Sequence, residues 1–179
     1  MVDFQTRARR IRLLLFDVDG VLTDGTILLS PDGTEAKRFN IRDGTGIVWA
    51  QRAGLRTGVL SGRASQATVH RARQLGMPII YQGVSDKLEA FGQILAEEGL
   101  DAAEVAYMAD DLLDLPVLGR VGLSAAPANA APDVRARVDW VSEAPGGAGA
   151  ARQFIEAVLQ AQGLWDGVLH TYLAEHPAR

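Results

Sequence analysis

Five short apolar runs, at residues 11–16, 57–60, 78–81, 105–108 and 121–124, recur along the chain, and each gives way to polar or glycine-bearing positions. Runs of this length bounded by turn signals read as buried strands. Between them lie helix-like stretches at 46–53, 64–75, 87–98 and 112–118, long enough to cross over between parallel strands. Such alternation predicts an α/β fold with a doubly wound, mostly parallel Rossmann-like sheet. A chain of 179 residues fits one domain with a real core. A last short strand is expected at 140–142.

One segment departs from the alternation. Residues 26–40, TILLSPDGTEAKRFN, carry two extended runs around Pro31-Asp32-Gly33, a turn sequence expected of a β-hairpin. On a lone hairpin Leu28 and Leu29 are exposed, and such an edge invites pairing with another chain, so an oligomer interface is expected there. Nearer the C-terminus, EAPGGAGAARQFIEAVLQAQG reads as a glycine-rich turn leading into a helix. It does not suit a dinucleotide loop, because no strand follows and Arg152 stands where the third glycine of GxGxxG belongs. From residue 163 onward Leu164, Trp165, Val168, Leu169, Tyr172 and Leu173 fall at helical spacing, giving either a docked helix or a movable tail.

Composition narrows the chemistry. At 47% hydrophobic, 22% charged and a net charge of −4, the chain offers no basic face for nucleic acid. It has no cysteine, so thiolate nucleophiles and thiolate metal sites are excluded and any metal must be held by oxygen or histidine. His70, His170 and His176 show no ligand spacing and are assigned no role. The basic-then-apolar N-terminus mimics a signal peptide, but Asp17 interrupts the run and no small-residue cleavage site follows. No stretch reaches the roughly 20 apolar residues of a membrane-spanning helix. A cytoplasmic protein with neither membrane nor nucleic-acid partner is expected.

In an open α/β sheet, ligands bind beyond the carboxyl ends of the strands. The first strand delivers Asp17 and Asp19, and the second Ser61, Gly62 and Arg63; the third is followed by Asp86 and Lys87, and the fourth by Asp110, Asp111 and Asp114. Two acidic strand ends with a lysine and a hydroxyl suit a phosphate held against Mg²⁺, a hard cation that takes carboxylate, phosphate and water oxygens. Asp17 and Asp110 can supply the carboxylates. A carboxylate can also attack phosphorus once metal and cations screen its repulsion, with Ser61 and Lys87 stabilising charge on the transferring group. Asp19 can protonate the leaving oxygen and then activate water. A calcium loop competes as a reading of DVDGVLTDG, but Val21 and Leu28 stand where an EF-hand needs its fifth-position ligand and twelfth-position glutamate. Asp24, followed by Gly25, is read as a turn former.

Taken in order, DVDGVLTDG, SGR, Lys87 and DDLLD resemble the motifs of the haloacid dehalogenase-like phosphatase superfamily. FNIRDGTGI, LSGRAS, QLGM, YQGVSDKL, ADDLLDLPVL, VGLSAAPANA and GGAGAAR extend the resemblance, over nearly all of residues 11–160, to its capless branch containing the octulosonate 8-phosphate phosphatases. The resemblance implies Asp17 as nucleophile and magnesium ligand, Asp19 as acid/base binding the metal through its carbonyl, and Asp110 as the remaining metal ligand. Asp111 and Asp114 then support the metal shell. Ser61 and Lys87 match phosphate-binding positions. Asp19, Asn40, Ile41, Arg42, Asp43, Gly44, Arg63 and Arg71 match positions that touch substrate, the counterpart of Arg71 reaching into a neighbouring subunit.

The same resemblance implies a homotetramer whose hairpins pair around its centre and whose subunits shape one another's sites in place of a cap domain. It implies Mg²⁺-dependent hydrolysis of a sugar-acid phosphate, 3-deoxy-D-manno-octulosonate 8-phosphate, on the way to the lipopolysaccharide inner core. Arg63 and Gln74 favour that eight-carbon acid over nonulosonate 9-phosphates, whose phosphatases resemble this branch but carry Glu and Lys there. A broader sugar-phosphate phosphatase and a non-catalytic tetramerising module are the alternatives. The usual glycine before the aspartate pair is Ala109 here, for which a φ below zero is expected.

Overall fold

The computed structural model describes residues 3–175, so His176 and the end of the expected tail lie outside the described residues. Its strands are β1 (Leu13–Phe16), β2 (Leu28–Leu29), β3 (Glu35–Ala36), β4 (Arg56–Ser61), β5 (Ile79–Gln82), β6 (Val105–Met108), β7 (Leu123–Ala126) and β8 (Trp140–Val141). The helices are α1 (Phe4–Ala8), α2 (Ile41–Arg52), α3 (Gln66–Gln74), α4 (Lys87–Glu98), α5 (Leu115–Leu118), α6 (Pro132–Arg135), α7 (Ala150–Ala161) and α8 (Trp165–Glu175). Six strands form one parallel sheet in the order β5-β4-β1-β6-β7-β8, and β2 and β3 form a separate antiparallel pair.

Every residue of β1 is buried because the strand is covered on both faces. Leu14 and Phe16 point into a layer shared with Ile47 and Ala50 of α2, Ala72 of α3 and Phe154, Ile155 and Val158 of α7. Leu13 and Leu15 point the other way, against Phe91 and Ile94 of α4, Val117 and Leu118 of α5 and Val134 of α6. Central parallel strands need apolar residues at every position for this reason, and each such side chain contributes roughly 1.5–3 kcal/mol on burial. Asp17 is the point at which that run meets the carboxyl edge of the sheet.

Several boundaries differ from the sequence reading. α2 starts at residue 41 rather than 46, because the Asn40 side chain caps it, accepting from the Arg42 backbone N–H at 2.8 Å. Gly44 and Gly46 disguise this first turn, since glycine disfavours helix, yet packing demands them: a Cβ on Gly44 would overlap the Arg71 guanidinium, and one on Gly46 would lie 2.9 Å from Arg152 Cδ. β7 runs from 123 rather than 121, as Gly122 N–H is drawn off to the carbonyls of Ala102 and Val105. The expected helix at 112–118 divides into a 3₁₀ turn, Leu112–Asp114, followed by α5. α4 has the expected bounds, with Asp86 capping it through the N–H groups of Leu88 and Glu89.

Of the two readings of the C-terminal stretch, the docked helix is observed. Trp49 of α2 meets Trp165 edge-on at 5.5 Å between ring centroids, and its Nε1 donates to the Tyr172 hydroxyl at 2.8 Å. The glycine-rich loop before α7 packs inward: Gly146 lies so close to the Gly20 carbonyl that a Cβ would overlap it, and Gly147 N–H donates to the Val21 carbonyl at 2.8 Å. It braces the turn after β1. The hairpin is closed at its base by Asp24, which accepts from Thr26 N–H and pairs with Arg38 at 2.5 Å. Leu28 and Leu29 are exposed on it. Among the described residues this hairpin is the sole insertion between β1 and α2, with no cap domain, and no helix is long and apolar enough to cross a membrane.

Candidate active site

The chain leaves β1 toward β4 on one side and leaves β6 toward β7 on the other, which makes the β1–β6 boundary the topological switch point. Asp17 follows β1 directly, its N–H donating to the Met108 carbonyl of β6 at 2.9 Å. Asp110 lies two residues past the end of β6. Gly20, at φ +88°, lets the loop after β1 pass the Asp110 carboxylate where any Cβ would overlap it. Ala109 needs no such freedom, since no non-glycine residue among those described has a positive φ.

Three carboxylates meet there: Asp17, Asp110 and Asp114 each offer an oxygen within 4.8 Å of the others. Asp114, a supporting residue in the sequence reading, is a full member of this cluster, because the 3₁₀ turn carries it back beneath Lys87. Lys87 Nζ sits 2.6 Å from Asp114 Oδ1, 3.2 Å from Asp17 Oδ1 and 3.3 Å from the Tyr107 hydroxyl. Tyr107 is wholly buried; its hydroxyl donates to Asp114 Oδ1 at 2.7 Å and lies 3.2 Å from the Leu60 carbonyl. Ser61, buried, ends β4, and a Cβ on the next residue, Gly62, would touch Lys87 Cε at 3.8 Å.

Crowded like charges shift their titration. Burial, with the Asp114 charge beside it and Lys87 opposing, pushes the Asp17 carboxyl up to about 6. Burial and then the charges of Asp17, Asp114 and Asp111 push Asp110 to about 7. Burial works against the charge on Lys87, but Asp17 and Asp114 outweigh it and its pKa rises. Burial and the neighbouring carboxylates hold the Tyr107 phenol well above its ordinary range, so it stays protonated. Asp17 Oδ1 is buried and, among the described residues, accepts no hydrogen bond. One ammonium facing three clustered carboxylates, with an orphaned oxygen among them, fits a hard divalent cation bound by oxygen.

Asp19 has a different set of partners. Its Oδ1 pairs with Lys37 of the hairpin, and its Oδ2 lies 3.5 Å from Arg63 Nε. Glu35 completes this second group, 3.0 Å from Lys37 Nζ and 2.6 Å from the Arg63 guanidinium, contacts that lower its pKa. Asn40, Asp43, Gly44 and Arg71 line one pocket together with Leu22, Phe39 and Thr68, whereas Ile41 and Arg42 are exposed on the first turn of α2. The Asp43 carboxylate is buried and turned to the start of α7, accepting from Gly149 N–H at 3.2 Å and Arg152 N–H at 2.8 Å. Asp111 caps the 3₁₀ turn through Leu112 N–H at 2.7 Å. His70 and His170 are exposed.

Sequence reasoning missed Glu35, Lys37 and Tyr107. Tyr107 carried a signal, as the one polar tip in the buried strand VAYM, which needs a partner. The two hairpin residues carried a fainter one: they stand two apart and so project from one face of an extended segment.

No family model matches the chain. It is 43% identical over 164 residues to the 3-deoxy-D-manno-octulosonate 8-phosphate phosphatase KdsC of Escherichia coli (strain K12), covering 92% of this chain and 87% of that protein. The solved 3-deoxy-D-manno-octulosonate 8-phosphate phosphatase of Yersinia pestis superposes with a TM-score of 0.91 at 41% identity, covering 93% of this chain and 90% of that one. The enzyme of the same name from Moraxella catarrhalis, solved with magnesium ion, phosphate ion and a KDO molecule, gives a TM-score of 0.91 at 34% identity over 94% and 97% of the two chains.

Proposed function

The chain belongs to the 3-deoxy-D-manno-octulosonate 8-phosphate phosphatase family of haloacid dehalogenase-like phosphatases, and on that premise we propose that it hydrolyses 3-deoxy-D-manno-octulosonate 8-phosphate to the free sugar acid and inorganic phosphate. It is a phosphomonoester hydrolase with Mg²⁺ as cofactor. The observation that carries the reading is the meeting of Asp17, Asp110, Asp114 and Lys87 at the switch point of the sheet. A non-catalytic tetramerising module has no use for like charges held together at this energetic cost.

Asp17 is the nucleophile: its carboxylate oxygen bonds to phosphorus as the bond from phosphorus to the sugar oxygen breaks, giving an aspartyl-phosphate. Lys87 and Ser61 hold the phosphoryl oxygens, Lys87 being aimed by Asp114 and Tyr107. Asp19 gives its proton to the departing sugar oxygen, then takes one from the water that releases phosphate and regenerates Asp17. The carboxylates of Asp17 and Asp110 and the carbonyl of Asp19 would hold Mg²⁺, which would supply the positive charge that lets a carboxylate approach a phosphate dianion. Asp111 and Asp114 add negative charge around that ion. Asn40, Ile41, Arg42, Gly44, Arg63 and Arg71 face the sugar acid, whose carboxylate suits the arginine fork, whereas the Asp43 carboxylate, expected among them, is committed to the backbone at the start of α7.

The reading includes a homotetramer with shared active sites, supported by the exposed Ile27, Leu28 and Leu29 of the hairpin, and a cytoplasmic step toward the lipopolysaccharide inner core. Phosphate release from a panel of sugar phosphates with Mg²⁺ tests it. The octulosonate phosphate is expected to give the highest kcat/KM; several hexose phosphates outranking it would refute the substrate assignment.

A further inference from the structure

The hairpin is exposed along β2 and at its turn, yet one of its charges is not. Lys37 has a side chain only 1% exposed, and an ammonium in such a place is tolerated only when closely paired. Its partners are Asp19 Oδ1 and, at 3.0 Å, Glu35 Oε1, while Glu35 Oε2 is held at 2.6 Å by Arg63. A hairpin that merely needed anchoring would be served as well by apolar residues of similar volume, since a buried ion pair adds little net stability over them. The pairing is also directional. It engages one oxygen of Asp19 and leaves the other, Oδ2, buried and, among the described residues, accepting no hydrogen bond, with Arg63 Nε alongside at 3.5 Å.

We propose that Lys37 is a positioning residue for proton transfer, clamping Oδ1 of Asp19 so that Oδ2 alone faces the scissile oxygen, with Glu35 holding Lys37 in place. The hairpin thereby forms part of the acid/base apparatus of its own protomer. This rests on the assignment of Asp19 as acid/base. In the first half-reaction the Asp17 oxygen bonds to phosphorus, the bond from phosphorus to the sugar oxygen breaks with its electron pair going to oxygen, and the proton on Asp19 Oδ2 moves to that oxygen to give the alcohol. In the second, water oxygen bonds to phosphorus, the bond from Asp17 to phosphorus breaks, and a water proton returns to Oδ2. A fixed Oδ2 serves both steps, because correct orientation of a reacting group is a large part of such catalysis.

Leaving-group dependence tests the proposal. The term kcat/KM reports events up to cleavage of the phosphorus–oxygen bond, and p-nitrophenolate departs without a proton whereas a sugar alkoxide does not. Lys37→Met should lower kcat/KM for the octulosonate phosphate on the order of 10–100-fold, less than the roughly 10²–10⁴-fold that general acid–base catalysis supplies in full because the acid itself remains, and leave that for p-nitrophenyl phosphate within about 2-fold. Equal losses on both substrates, no loss on either, or a change confined to KM overturns it. Glu35→Gln, which leaves Lys37 paired to Asp19, should show the same selectivity at smaller amplitude, and it decides the matter if Lys37→Met does not fold. Asp19→Asn measured alongside separates the premise from the proposal. If Asp19→Asn is selective and Lys37→Met is not, the clamp alone fails; if Asp19→Asn is unselective, the acid/base assignment fails and the clamp with it.

Discussion

Replacing Asp110 by Asn should make the metal-free protein more stable while abolishing its response to Mg²⁺. Among the described residues no hydrogen bond holds the Asp110 carboxylate, and what surrounds it is Asp17, Asp114 and Asp111, only partly offset by Lys87. A carboxyl held at about 7 instead of its ordinary 3.8 corresponds to ~4 kcal/mol against the ionised form. Partial solvation of Asp110 reduces this to ~2 kcal/mol. Below about pH 4 the group is protonated whether folded or unfolded and contributes no difference. Between about pH 4 and 7 the folded chain keeps a proton that the unfolded chain has lost, so wild-type stability falls as pH rises through this window and levels off above it. The Asn variant lacks that fall. Its advantage should grow from near zero at pH 4 to ~2 kcal/mol at pH 8, about 4–8 °C in Tm for a chain of this size. Thermal unfolding in chelator across this pH range measures it. Added Mg²⁺ at about 100 times its Kd should stabilise the wild type by ~2.7 kcal/mol and the variant by far less. A variant that is less stable at pH 8, or whose advantage does not change with pH, would refute the reasoning.

Gly20→Ala places a Cβ on the Asp110 carboxylate at a φ of +88°; strain of ~1–3 kcal/mol and a large loss of Mg²⁺ affinity are expected by denaturant unfolding and metal titration. Asp43→Ala removes the buried acceptor of two backbone N–H groups at the start of α7 and should lower stability by about 2 kcal/mol, the upper end for a cap, as read by urea denaturation. Tyr107→Phe keeps the ring and removes the hydroxyl shared by Asp114 and Lys87; stability should fall by ~1–2 kcal/mol and kcat should drop with little change in KM in steady-state assays.

The fold was legible in the sequence because its strands are short apolar runs covered on both faces, which leaves few other ways to place 13–16 or 105–108. Site residues attached to strand ends were legible by the same logic: once the strands are parallel, Asp17, Lys87 and Asp110 must share an edge. What escaped depended on tertiary packing. The first turn of α2 was hidden by two glycines that exist to admit Arg71 and Arg152. The loop at 121–122 looked like strand because Val121 is apolar, while Gly122 is tied instead to Ala102 and Val105. Lys37 and Glu35 drew no assignment, and only the return of the hairpin toward the loop after β1 brings Lys37 to Asp19 and Glu35 to Lys37. Asp43 falls within a stretch that resembles substrate-contacting positions, and its carboxylate is found capping α7.

The claim on which the mechanism stands is covalent transfer of the phosphoryl group to Asp17. Rapid mixing of enzyme, Mg²⁺ and the octulosonate phosphate, quenched in acid within a single turnover and digested for mass spectrometry, tests it directly. The prediction is one added phosphoryl group on the peptide bearing Asp17, rising and decaying with phosphate release and missing from a folded Asp17→Asn variant that does not turn over. Phosphate release by that variant at near wild-type rate, or a phosphoryl group trapped on any other residue, would contradict it.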